Sequence, residues 1–249
     1  MPKVLQTRKA RISRKKSGIG RRCQCMSGCL ELAVPGGSMC LKHQRDGCSR
    51  VSPVTGSEPP YIPGAYNDTK ITKDNHNCFA YAFNIREDLS ERCAGKSDCS
   101  LAFHQPGKGT GFPRFREVKK IQCPDLLARL YADVPGLTET TFEEKCPIGT
   151  SKIGLVIDPK NDYHFYRQDR GGLWSHKPGG GAVTNRDAAG NLIYDPALAD
   201  RNYKRNKKGS LDYSVFCSYM CAPRTPLATR RVKRGGRRLK TRRTRTNLR

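Results

Sequence analysis

The chain has 249 residues and a formal net charge of +25. The excess sits at the ends: residues 1–22 carry nine Lys or Arg and no acid, residues 224–249 carry twelve and no acid, and residues 23–223 hold 26 basic against 22 acidic side chains. No apolar run approaches the roughly 18 residues needed to cross a bilayer, so a membrane-spanning helix is excluded and a polyanion becomes the natural partner of the ends.

In chain order, residues 1–22 read as a basic arm. Its charges lead into no apolar core, so no secretory signal peptide is expected. A reducing compartment is then expected, where clustered cysteines favour metal over disulfide. Residues 23–48 form a cysteine-rich module holding Cys23, Cys25, Cys29, Cys40, His43 and Cys48. Cys40-x2-His43 and Cys25-x3-Cys29 have the spacing of ligand pairs, and Gly36-Gly37 supplies a turn between them. A Cys3His zinc site on Cys25, Cys29, Cys40 and His43 would fold this coreless stretch, with Cys23 or Cys48 as possible substitutes. A disulfide knot is the competing expectation. Residues 49–74, with Pro53, Pro59, Pro60 and Pro63, read as an extended linker wrapped over the surface.

Residues 75–223 read as the main domain. Cys78-Phe79-Ala80-Tyr81-Ala82-Phe83-Asn84, preceded by the capping types Asn75, His76 and Asn77, predicts a helix beginning near Cys78. Gly107-Lys108-Gly109-Thr110-Gly111 lacks the spacer of a phosphate loop and predicts a flexible surface loop, and His104 a loop side chain. Pro124 to Tyr131 predicts a second helix. Strands are expected at Lys152–Ile157, Tyr163–Gln168, Leu173–His176 and Tyr213–Tyr219, with Asp169-Arg170-Gly171-Gly172 as a hairpin turn. Cys123 and Cys146 precede proline and read as packing or loop residues. Cys93 with Cys99, and Cys217 with Cys221, are spaced to close small loops. Helices followed by an antiparallel meander give an α+β fold. Residues 224–249 are an Arg-rich tail, whose guanidinium forks suit phosphate. Without aromatics to stack on bases, the arms predict nucleic-acid binding that is sequence-blind and steeply salt-dependent, with acidic protein surfaces next as partners.

One constellation carries chemistry. A thiol at a helix N-terminus is favoured as thiolate. His164 and His176 lie on adjacent strands joined by a tight turn. The roles predicted are Cys78 as nucleophile, His164 as general base and then acid, and His176 as the group that holds the His164 tautomer. The Cys78 amide would be one oxyanion donor, with Asn75 or Asn77 as candidates for a second.

A Cys opening a helix, a strand with His, a Gly-containing hairpin and a second His twelve residues on resembles the NlpC-type papain-like cysteine peptidases. The words Asn77-Cys78-Phe79-Ala80-Tyr81-Ala82, Asp162-Tyr163-His164-Phe165-Tyr166-Arg167-Gln168-Asp169 and Trp174-Ser175-His176-Lys177-Pro178-Gly179 are similar to those of an uncharacterised group of large nucleocytoplasmic DNA viruses, with bacterial relatives. The Cys-x-x-His module likewise resembles short zinc modules near the ends of large-virus proteins. Asn77 and Phe79 depart from the Asp and the small residue that flank the cysteine in the usual cell-wall peptidases. The resemblance implies a papain-like fold, with the Cys-bearing helix packed on an antiparallel sheet, a peptide or amide substrate and structural zinc. It places the protein in a virion, host cytoplasm or viral factory. The alternative it leaves is a virion structural, minor capsid or DNA-packaging protein with an idle hydrolase fold.

Overall fold

The computed structural model describes residues 23, 31–35, 37, 39–46, 51–89, 94, 104–115, 120–205 and 211–224. The basic arm, residues 225–249 of the tail, and Cys25, Cys29, Cys48, Cys93 and Cys99 lie outside them. The helices are α1 (Leu41–Asp46), α2 (Gly64–Asn67), α3 (Lys70–Asn75), α4 (Cys78–Ala82) and α5 (Cys123–Asp133). The strands are β1 (Thr138–Thr140), β2 (Thr150–Asp158), β3 (Asp162–Gln168), β4 (Trp174–His176) and β5 (Val215–Pro223). They form one five-stranded sheet in the order β1-β5-β2-β3-β4, with every neighbouring pair antiparallel. The α+β expectation holds at this level. No helix among the described residues is long and apolar enough to cross a membrane.

The central strand β2 is covered on both faces, which is why it reads as an almost unbroken apolar run. Ile153, Leu155 and Ile157 pack on one face with Phe79, Phe83, Leu126, Leu130 and Phe165. Val156 packs on the other with Tyr166, Trp174, Ile193 and Tyr219. Helix α4 starts at Cys78 because Asn77, in extended conformation, accepts the Ala80 amide at 3.1 Å on its side-chain oxygen, satisfying a donor the first turn cannot pair internally. The β3–β4 hairpin turns on Gly172, whose φ is +85° and where a Cβ would meet Val51 Cγ1 at 2.5 Å; only glycine satisfies both demands.

Four expectations are corrected. The linker is not extended throughout: residues 64–75 carry α2 and α3, and Ser52 and Glu58 are buried, because Ser52 Oγ donates to Phe142 O at 2.7 Å and Glu58 takes the Thr55 and Gly56 amides. Cys123 and Cys146 do pack at the core, Cys146 from a loop, but neither is a free thiol. Cys123 bonds Cys217 and Cys146 bonds Cys221, so Cys217 and Cys221 close no small loop with each other. The sulfurs of residues 217 and 221 lie near different partners because β5 runs beside the start of α5 and then past the loop before β2. The Gly107–Gly111 loop is pinned by Asp133 at the end of α5, which accepts from the Gly107 amide at 2.5 Å and the Thr110 hydroxyl at 2.8 Å. Arg224 does not begin a detached tail: its amide donates to Gly149 O at 2.9 Å and its guanidinium to Ala82 O at 3.1 Å.

Candidate active site and metal cluster

The two histidines meet as expected. His164 Nε2 lies 2.8 Å from His176 Nδ1, with the rings perpendicular. His176 Nε2 lies 3.0 Å from Arg186 O, an acceptor only, so that nitrogen carries the proton. Neutral His176 then accepts at Nδ1, and His164 donates from Nε2. His164 Nδ1 is left with its lone pair, the state a general base requires. Tyr213 stacks on the His164 ring at 5.2 Å and donates its hydroxyl to Asp162 at 2.9 Å.

Cys78 arrives from the other side of the sheet. It packs with Leu155 and Phe165, whereas the side chains of His164 and Tyr166 alternate to the opposite face. Its thiol lies against the backbone amides of Phe165, Phe79 and Cys78 itself. Among the described residues no hydrogen bond joins the thiol to His164. All three groups are nearly sealed from solvent, at 6%, 2% and 1% exposure for Cys78, His164 and His176. Burial, helped by the Asp162 carboxylate, pushes the Cys78 thiol up to about 12, against the opposing pull of the amides. Burial and the neighbouring His176 hold His164 well below its ordinary range, and burial brings His176 down to about 4 although the Arg186 carbonyl and Asp187 pull upward. At neutral pH the site therefore holds a thiol and two neutral imidazoles.

The expected second oxyanion donors are committed elsewhere. Asn77 caps α4 and donates to His104 O at 2.6 Å, and Asn75 donates to Ile71 O at 2.9 Å. The donors that remain near the thiol are the first-turn amides of α4 and the Phe165 amide.

In the N-terminal module, Cys23, Cys40 and His43 converge, with all three ligand atoms within 4.8 Å of one another. His43 Nδ1 lies 3.2 Å from Cys23 Sγ and 3.1 Å from Cys40 Sγ. Cys40 and His43 share one short stretch because α1 starts at Leu41, which puts them about one turn apart. Two thiols and an imidazole nitrogen, all buried, form a set that can hold a metal ion. Cys23, expected only as a possible substitute, is the cysteine that joins Cys40 and His43 here; Cys25 and Cys29 lie outside the described residues.

No family model matches the chain, and no solved structure matches it. Over 141 residues it is 35% identical to insoluble matrix shell protein 1 of Ruditapes philippinarum, a stretch that is 57% of this chain and 80% of that protein. The chain belongs to that protein's family. The candidate site also holds three groups whose role no sequence motif marks. In the sequence Tyr213 carries only a strand-start signal, and Asp162 only opens the word that contains His164. Lys177, next to His176, is fully buried and donates its amine to the carbonyls of Lys73, Gly179 and Gly181 at 2.5, 2.8 and 2.9 Å. That amine ties the segment after β4 to α3, just ahead of Cys78. No sequence signal distinguishes such a lysine from a surface one.

Proposed function

We propose that this protein is a papain-like cysteine hydrolase of the NlpC type, acting on a peptide or amide bond and folded with its thiol at rest. The observation that carries the reading is the polarised chain from His164 Nε2–H to His176 Nδ1 and from His176 Nε2–H to the Arg186 carbonyl. It leaves His164 Nδ1 unprotonated on β3, the strand whose opposite face packs against the helix that carries Cys78. In the reaction, His164 takes the Cys78 proton and the sulfur attacks the substrate carbonyl carbon. The oxyanion is met by first-turn amides of α4. His164 then protonates the leaving amine, giving a thioester that water hydrolyses. Cys78 and His164 lie on opposite faces of β3, so this reading requires α4 and β3 to shift until thiol and imidazole meet.

The test is a peptidyl chloromethyl ketone, whose capture requires an activated thiol. Alkylation of Cys78 in the folded protein at neutral pH, absent in His164→Ala and Cys78→Ser, is expected. No labelling of folded wild-type protein, or equal labelling of His164→Ala, rejects the enzyme.

A second reading is that of a structural matrix or particle protein in which the hydrolase site is idle. The shell matrix relative and the sealed, protonated thiol favour it. Two disulfides spanning 94 and 75 residues favour assembly outside a reducing cytosol, in a particle or an extracellular matrix. In either reading the basic arms hold the protein on nucleic acid or another polyanion. Structural zinc on Cys23, Cys40 and His43 is part of the same proposal, with a fourth ligand among Cys25, Cys29 and Cys48.

A further inference from the structure

Away from the thiol and the histidines, a cavity of about 310 Å³ lies among the linker (Glu58, Pro60, Ile62), Tyr66 of α2, and three arginines, Arg167, Arg170 and Arg224. The arginines differ in what they already hold. Arg167 is paired to Asp169 at 3.0 Å, donates to the Tyr81 and Pro60 carbonyls and Asn84, and stacks on Tyr81 at 3.8 Å. Arg224 is not paired in this way. One terminal nitrogen donates to Ala82 O, while its Nε and Nη2 are buried and have no hydrogen-bond partner among the described residues. Those two nitrogens form the side-on edge of the guanidinium, whose parallel N–H bonds match two oxygens of a carboxylate, phosphate or sulfate.

The surrounding acids do not fill that role. Glu58 uses both carboxylate oxygens on the Thr55 and Gly56 amides and the Thr55 hydroxyl, and among the described residues no carboxylate lies within ion-pair distance of Arg224. The guanidinium stays charged at neutral pH, since burial and neighbouring Arg167 bring it down only to about 10. The Glu58 carboxylate shares the cavity and offsets part of the Arg224 charge without accepting from Nε or Nη2; two buried guanidinium donors with no acceptor are costly unless an anion joins them. We infer that this cavity is a binding site for a small oxyanion, held bidentately by Nε and Nη2 of Arg224 and flanked by Arg170. Both nitrogens are shielded from water, so binding includes a small adjustment of the cavity lining. The apolar walls of Pro59, Ile62 and Ala65 admit a short organic body attached to the anionic group.

The experiment titrates the full chain with sodium phosphate, sulfate or acetate at ionic strength held constant with chloride, reading calorimetric heat and thermal midpoint. Saturable binding of at least one oxyanion, at least tenfold weaker in Arg224→Met and severalfold weaker in Arg170→Ala, is expected. The basic arms are present in every sample, so their non-specific binding subtracts out. A preference for phosphate and sulfate over acetate assigns a tetrahedral ligand, and the reverse a carboxylate. Arg170 is on the cavity rim and its removal leaves the core intact, so it reports even if Arg224→Met fails to fold. Binding in both variants equal to wild type, or a response to oxyanions no larger than to chloride, overturns the site.

Discussion

Removing the Cys146–Cys221 bridge by the double substitution to alanine gives a magnitude that depends on how the two bridges overlap. In the chain-entropy account, a bridge spanning 75 residues acting alone is worth about 4.5 kcal/mol. The Cys123–Cys217 bridge is still present, however, and it shortens the circuit. The new loop runs only from Cys123 to Cys146 and from Cys217 to Cys221, roughly 27 residues in all, worth about 3.5 kcal/mol. Removing the Cys123–Cys217 bridge instead is worth a similar amount. Removing both is worth about 8 kcal/mol, some 1 kcal/mol more than the two single losses together, because the first bridge lost is always the one made cheaper by the other. Urea unfolding under non-reducing conditions measures each variant, and the single losses correspond to a fall in Tm of roughly 7–14 °C for a domain of this size. A loss below about 1 kcal/mol for either single removal, or wild-type protein that shows four additional reactive thiols when unfolded without reductant, refutes the pairing.

Acidification should destabilise the fold through His164 and His176. Both are held below the roughly 6.5 of an unfolded histidine, so the unfolded chain takes protons first and the stability present above pH 6.5 drains away as pH falls; for His176, lost towards about 4, this is roughly 3 kcal/mol. Urea midpoints between pH 7 and 4.5 should show a slope that flattens in His164→Gln/His176→Gln; an unchanged slope rejects the neutral buried pair. Chelation should raise hydrogen exchange at residues 31–46 while leaving β2 and β3 protected, and Cys40→Ser should abolish the difference, as mass spectrometry can read. Deleting residues 1–22 and 225–249 should eliminate DNA binding and its steep salt slope; a core that binds equally well refutes the role given to the arms.

The parts of the fold that were legible in the sequence are those where one physical signal dominates. Asn77 marks the start of α4, Pro124 that of α5, and the apolar run of β2 and the Asp169–Gly172 turn fix the centre of the sheet. The spacing of His164 and His176 foretold their contact because a two-strand hairpin sets it locally. β1 was missed, since Thr138-Glu139-Thr140 is an exposed edge strand with no apolar alternation and exists only by pairing with β5. The disulfides are not legible in the sequence because each pairing depends on which elements meet across long separations, and cysteine spacing carries no such information. Nor did the strand pattern show that Cys78 and His164 approach from opposite faces. That relation follows from which face α4 covers, which is tertiary information.

The last strand has a mechanical role implied by its stitching. β5 lies between β1 and β2, is bonded through sulfur to α5 and to the loop before β2, and leads directly to Arg224 and the basic tail. Any load applied by whatever grips residues 225–249 therefore enters the domain at a strand hydrogen-bonded on both sides and riveted at two points within seven residues of Arg224. Such a strand resists peeling: tension reaches two covalent cross-links before it can strip the sheet. The tail is thus fastened to the part of the molecule best built to bear a pull.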